Sequence, residues 1–171
     1  MSEILGTLFK YLLALLAITA VVAILYEALS SNKVSTAAAQ ITTLQANINQ
    51  LYAGTSAGPS GLSNTTLTQA NEIPSGMPVS EGTINNSWGG TVTIKADTGS
   101  NLTGDADITY TSVPQEACNK LSLALLPSMT QITINSAAAI AAGDTTAVTD
   151  VGTACAAGGS SNSITFTFPV S

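Results

Sequence analysis

From Ile4 to Tyr26 the chain is apolar over 23 residues, and Lys10 is the only charge among them. Tyr11 to Tyr26 carries no charge at all. As a helix rising ~1.5 Å per residue, the segment reaches ~35 Å, enough for a hydrocarbon core of about 30 Å. A lysine in lipid costs roughly 2.5–3.5 kcal/mol unless it snorkels or is paired, so Lys10 is expected at an interface or against protein. From Val34 the pattern becomes amphipathic. Val34, Ala37, Ile41, Leu44, Ile48 and Leu51 recur in steps of three and four, with Gln40, Thr43, Gln45, Asn47 and Gln50 between them, which predicts one packed helix face. No Pro or Gly interrupts residues 7–53, so one helix over residues ~3–53 is predicted, capped by Gly54. Ser30-Ser31-Asn32 is its expected weak point, because short polar side chains compete for backbone hydrogen bonds.

Beyond residue 54 the period changes. Residues 54–62 read as a loop, Leu62 to Ala70 as a short helix, and Ile73-Pro74-Ser75-Gly76-Met77-Pro78 as turns. Alternation then predicts strands at Thr91–Lys95, Ile108–Thr111, Gln131–Ile134 and Ser163–Phe168. Ser112-Val113-Pro114-Gln115 offers a capping box and an early helical proline for a helix to about Leu126, with Ala117, Leu121, Ala124 and Leu125 on one face. Residues 137–153 are rich in Ala, Gly and Thr and are assigned to an irregular loop with at most one strand. The predicted class is α+β: a long N-terminal helix, apolar in its first half and amphipathic in its second, packed on a small, mainly antiparallel sheet. The domains are residues 1–29, 30–53 and a head of residues 54–171.

Composition narrows the function. Only 8% of residues are charged, with ten acids against four lysines and a net charge of −6. Average soluble proteins are about 25% charged, and this depletion in favour of Ser, Thr, Asn, Ala and Gly fits an extracellular surface. Arg and His are absent. Without clustered cations the subunit is not expected to bind nucleic acid. Without His, a Ser-x-x-Lys string or paired acids in a cleft, it is not expected to be an enzyme, and no cofactor or metal is expected. Cys118 and Cys155, 37 positions apart, have no further soft ligands for zinc and read as a disulfide formed in an oxidising compartment, the alternative being two buried thiols. Asp105 and Asp107 are assigned to a turn, since the full spacing of a calcium loop is missing. Trp88, between Asn86-Ser87 and Gly89-Gly90, is expected to pack beside the sheet rather than stand out as an adhesive aromatic. Asn64, Asn85 and Asn101 begin Asn-x-Ser/Thr triplets, which arise readily in such a sequence and carry no claim of glycosylation.

Several strings in this order give a family resemblance: SSNKVST at 30–36, TTLQANINQLYAG at 42–54, EIPSGMPVSEGTINNSWGGTVTI at 72–94, ITYTSVPQEACNKL at 108–121 and ITFTF at 164–168. Behind an apolar N-terminal helix and around one Cys pair, they resemble the type IV pilins, in particular the PilS-like type IVb branch. The resemblance implies a secreted subunit that polymerises through its N-terminal helices into a cell-surface filament for adhesion, aggregation or conjugative mating. It implies anchorage in the inner membrane before assembly, and an assembly platform, an ATPase and a prepilin peptidase as partners. Family precursors carry a leader cut after glycine, which no residues ahead of Met1 supply here; read as the processed terminus, Met1 would be N-methylated. Many members have glutamate at the fifth mature position, where this chain has Leu5, and Glu3 is the nearest carboxylate. Met1, Glu3 and Lys10 are therefore candidate assembly residues, with Glu3 setting subunit register against a neighbour's cation. Helix-start electrostatics is the plainer explanation of Glu3. The rival functions are a membrane-tethered monomeric binding module and a minor tip adhesin.

Overall fold

The computed structural model describes residues 2–54, 58–97 and 104–170, with residues 2–5, 8 and 14–30 as backbone only. Helix α1 runs Ser2–Tyr52 without a break, and Gly54 follows it at φ +77°, a conformation that glycine adopts without a Cβ penalty. The chain divides into two compact units, residues 1–33 and 34–171, with the boundary inside α1 just past Ser30-Ser31-Asn32.

In the second unit, Val34, Ala37, Ile41, Leu44 and Ile48 are buried in one core with the sheet. Two positions depart from the predicted stripe. Leu51 is 38% exposed, while Gln40 is buried at 6%. Successive residues turn 100° about the helix axis, so a stripe stepping by three and four drifts around the helix, and Leu51 lies at the edge where the covering core has ended.

Among the described residues the sheet has seven strands, β1 (Val79–Ser80), β2 (Thr83–Asn85), β3 (Thr91–Ala96), β4 (Asp105–Val113), β5 (Gln131–Ile134), β6 (Ile140–Ala141) and β7 (Asn162–Pro169). Their order is β1-β2-β3-β4-β7-β5-β6, and every neighbouring pair is antiparallel. Register explains why alternation was so informative. Ile84, Val92, Tyr110, Ile164 and Ile134 line up across five strands, and Ile94, Ile108, Phe166, Ile132 and Ile140 form the next row. All ten are buried, and Tyr110 meets Phe166 edge-on with centroids 6.4 Å apart. The opposite face carries Thr93, Thr109, Thr165 and Thr133 in one row. Cross-strand hydroxyl bonds join Thr109 to Thr165 at 2.9 Å and Thr91 to Thr111 at 3.1 Å.

Three local readings need correction. Helix α3 (Gln115–Leu125) has no capping box: Pro114 is its N-cap without a side-chain bond, and Ser112, at φ +58°, belongs to the end of β4, where the register with β7 shifts. Strand pairing has taken the residue that would have capped. Asp105 and Asp107 lie on β4 and not in a turn, in phase with the polar face that Thr109 and Thr111 continue. Residues 137–153 contain β6 and the start of helix α4 (Ala147–Gly158). The buried face of α4 is Ala147, Val151, Ala154 and Cys155, a helical period written half in alanine, with more alanine on the outer face, and so nearly invisible as hydrophobic contrast. The other short helix, α2 (Asn64–Gln69), is capped by Ser63, whose Oγ accepts from Thr66 N at 3.2 Å.

Trp88 is half-buried and packed against the core. Asn86 builds its loop, accepting from Trp88 N at 2.9 Å and Gly90 N at 3.0 Å while donating to Thr111 O at 2.7 Å. Gly90 admits no side chain, since a Cβ there would stand 2.0 Å from Thr111 O. Asn64 is committed inward, donating to Val92 O at 2.8 Å and accepting from Ile94 N at 2.7 Å; Asn101 lies outside the described residues.

Candidate functional site

Two regions carry features a merely stable domain does not need. The first is the start of α1. Phe9, Tyr11, Leu12 and Leu13 are 53–68% exposed, around an exposed Lys10. Contiguous apolar surface of this kind marks an interaction face. Met1, and the side chain of Glu3, lie outside the described residues, so the register role of Glu3 is carried forward as a proposal. Among the described residues, no helix is long and apolar enough to cross a membrane. The span predicted over Ile4 to Tyr26 rests largely on the side chains of residues 14–26, which fall outside them.

The second region lies between the cysteines. A disulfide joins Cys118 on α3 to Cys155 on α4, with Cα atoms 5.9 Å apart and both residues fully buried. It ties together two helices that the sequence between them, through β5 and β6, brings back to the same side of the core. Asn135 and Asn162 lock the far end of α4. Asn135 Nδ2 donates to Ala154 O at 2.9 Å and to Asn162 Oδ1 at 2.6 Å, while Asn162 Nδ2 donates to Val113 O at 3.1 Å and Gly159 O at 2.9 Å. Asn135 Oδ1 accepts from Ser163 N at 2.9 Å, so nearly every polar atom of the pair is used. Gly158 is required there, because a Cβ would come within 2.5 Å of both amides. This lock was not legible in the sequence, since neither asparagine sits in a motif.

On the outside of α4, a concavity of about 430 Å³ is lined by Ala137, Ala138, Ala139, Ile140, Ala154 and Ala157, with Asp144, Asp150 and Thr153 also on its wall. Thr146 Oγ1 stands 2.9 Å from Asp144 Oδ1 and 2.7 Å from Asp150 Oδ2. Thr146 N also donates to Asp144 at 3.0 Å, and this backbone bond, with the hydroxyl, holds the Asp144 carboxyl below its ordinary pKa.

Elsewhere on the outer sheet face, Asp107 accepts from Thr167 Oγ1 at 2.8 Å and faces Lys95 Nζ at 3.5 Å, and Asp105 accepts from Thr130 Oγ1 at 3.0 Å. Burial dominates at Asp107 and raises its pKa above 3.8, with Asp97 adding to the rise and Thr167 and Lys95 opposing it. The sign follows from linkage: a carboxyl with a raised folded-state pKa contributes stability below pH 3.8 and loses it as pH climbs through the raised value. Asp107→Asn is therefore expected to unfold at a higher temperature than wild type at pH 7, with the gap closing as pH falls toward 3.8. A gap that does not vary with pH in paired thermal melts would contradict this account. Among the described residues no cluster of three metal-ligating side chains occurs.

A family model described as PilS N terminal matches residues 31–169. No curated protein matches the chain. Among solved structures, the chain is similar to the type IV b pilin from Salmonella typhi, with 27% identity, a TM-score of 0.63, and 79% of this chain and 99% of that one covered. It is also similar in fold to TcpA, a type IV pilin from Vibrio cholerae El Tor biotype, at 14% identity and a TM-score of 0.56, over 80% of this chain and 98% of that one.

Proposed function

We propose, from the premise that this chain belongs to the PilS family and is a type IV pilin, that it is the major, type IVb subunit of a cell-surface pilus. The observation that carries the reading is the open apolar surface at the start of α1, where Phe9, Tyr11, Leu12 and Leu13 are more than half exposed. Such a surface must be covered by lipid or by protein. Burying it among copies of itself removes it from water at roughly 25 cal/mol per Å² of apolar area, and close packing supplies the dispersion that lipid would otherwise give. The N-terminal helices then form the filament core and the domains of residues 34–171 its shell. Before assembly the same surface holds the subunit in the inner membrane. Moving it out requires work, which is the physical reason for an assembly platform and an ATPase as partners, and a prepilin peptidase is the further partner that the family resemblance implies. Adhesion, aggregation or conjugative mating is the expected use of the filament.

Shear-released surface material tests the reading. A major subunit dominates that fraction and negative-stain microscopy shows thin filaments; a tip adhesin or a tethered monomer is scarce there, and scarcity of this chain would refute the proposal. Within the filament, Glu3 is assigned to subunit register, opposite a neighbour's Met1 α-amino group or Lys10. Residues 3 and 10 lie about 10 Å apart along one helix, too far for direct pairing, so the partner comes from another copy. Glu3→Ala is expected to cut filament yield about tenfold or more at equal membrane-bound subunit, as loss of a buried charge pair costs several kcal/mol, and Lys10→Ala does the same where Lys10 rather than the α-amino group is the partner. Normal filament yield in both variants would remove the register role.

A further inference from the structure

Charge in this chain is divided unevenly. Residues 1–33 hold two acids and two lysines, whereas residues 34–171 hold eight acids and only Lys95 and Lys120. Both of those lysines are engaged, Lys95 with Asp107 at 3.5 Å and Lys120 with Glu116 at 2.7 Å. Lys10 lies within the apolar segment assigned to the filament core. Lys33 remains: it is exposed at the boundary of the two units, and no carboxylate pairs with it among the described residues.

The concavity beside α4 has the complementary chemistry. Its alanine walls suit an aliphatic stem, and Asp144 and Asp150 place two carboxylate oxygens around one hydroxyl. Thr146 Oγ1 has a single proton and so can donate to only one of them at a time. Both carboxylates are exposed, so an ammonium placed between them meets two negative charges at the mouth of an apolar wall. We propose that the Lys33 side chain of a neighbouring copy enters this concavity, its methylenes against Ala137–Ala139 and Ala157 and its ammonium between Asp144 and Asp150, as a lateral contact of the filament. The proposal rests on the polymerisation reading above. Lysine, with a flexible four-carbon stem and a compact ammonium, suits a site with an apolar throat and a double acidic end.

Charge exchange tests it in cells that assemble the wild-type filament. Lys33→Glu and Asp150→Lys should each lower sheared filament protein about tenfold or more, because each sets like charges against one another at the contact. The double variant should recover most of the loss. Two populations, one carrying each single change, should also recover filaments when expressed together, since every contact between unlike copies is then complementary. Full yield in either single variant, or no recovery in the double, would overturn the proposal. Recovery in the double but not in the mixture would place the pair within one chain, which also overturns it. Should Asp150→Lys fail to form the Cys118–Cys155 bond, a second measurement replaces it: Lys33→Cys with Thr153→Cys in filaments, treated with a short bis-maleimide, should give a ladder of multimers that neither single variant gives. No ladder would overturn the proposal. Absence of filaments from the wild type itself would instead refute the polymerisation reading.

Discussion

Replacing both Cys118 and Cys155 with alanine should lower the stability of residues 34–171 by about 3–4 kcal/mol, the loop-entropy value for a cross-link across 37 positions. The loss follows from what the bond constrains. In the unfolded chain it closes a loop containing β5, β6 and most of two helices, whereas in the folded protein both sulfurs lie in a core that already holds Ala117, Leu121, Val151 and Ala154. Alanine leaves no polar atom behind, so the measured value adds only a small cavity contribution. Denaturant unfolding of the detergent-solubilised chain, followed through Trp88, its one tryptophan, reads the difference directly. A midpoint shift worth less than about 1 kcal/mol would mean that the unfolded state is already compact across this region. The consequence for assembly is local, because α3 and α4 hold the wall on which Asp150, Thr153 and Ala157 stand.

How much of this was legible beforehand depends on how strongly each element contrasts with its surroundings. The strands around Val92, Ile108, Ile132 and Phe166 were readable because large β-branched and aromatic side chains alternate with threonine, and the sheet turns that alternation into an apolar face and a hydroxyl face. Helix α1 was readable from its lack of breakers and its three-four spacing. Helix α4 was not. Its inward side chains are alanines, a valine and a cysteine, its outward ones include more alanine, and Gly152 lies in its middle, so hydrophobic contrast nearly vanishes while Val, Thr, Asp and Gly also lower the intrinsic preference for helix. Asp105 and Asp107 misled for the opposite reason. Residue type alone assigns acids between glycine and threonine to a turn, but tertiary partners, Thr130 and Thr167, offset part of their desolvation on a strand.

The candidate site followed the same division. The exposed apolar surface of α1 and the paired cysteines are visible in one dimension, as a long charge-free run and as two lone cysteines in a chain without other metal ligands. The acidic concavity is not, because Asp144 and Asp150 flank the start of a helix that hydrophobic contrast did not reveal, and the alanines facing them come from the segment before β6. A site assembled from small side chains on either side of an unrecognised helix becomes visible only once the chain is folded.

The stripe on α1 gives the sharpest separation between pattern and structure. By spacing alone, Leu44 and Leu51 are equivalent positions one heptad apart, and truncating either should cost the same. In the fold they are not equivalent: Leu44 is fully buried in the core, while Leu51 is 38% exposed. Leu44→Ala is therefore expected to destabilise residues 34–171 by about 2–5 kcal/mol, the range for deleting a leucine side chain from a close-packed interior. Leu51→Ala should change stability by only about 0.5 kcal/mol. Paired denaturation curves monitored at Trp88 decide between the two accounts, and equal losses would mean that the helix end packs as tightly as its middle. The same pair separates folding from assembly. Leu44→Ala should lose filaments because the subunit is unfolded and degraded, with its Cys118–Cys155 bond poorly formed, whereas a filament defect in Leu51→Ala, with unfolding unchanged, would locate a contact between subunits at the end of α1.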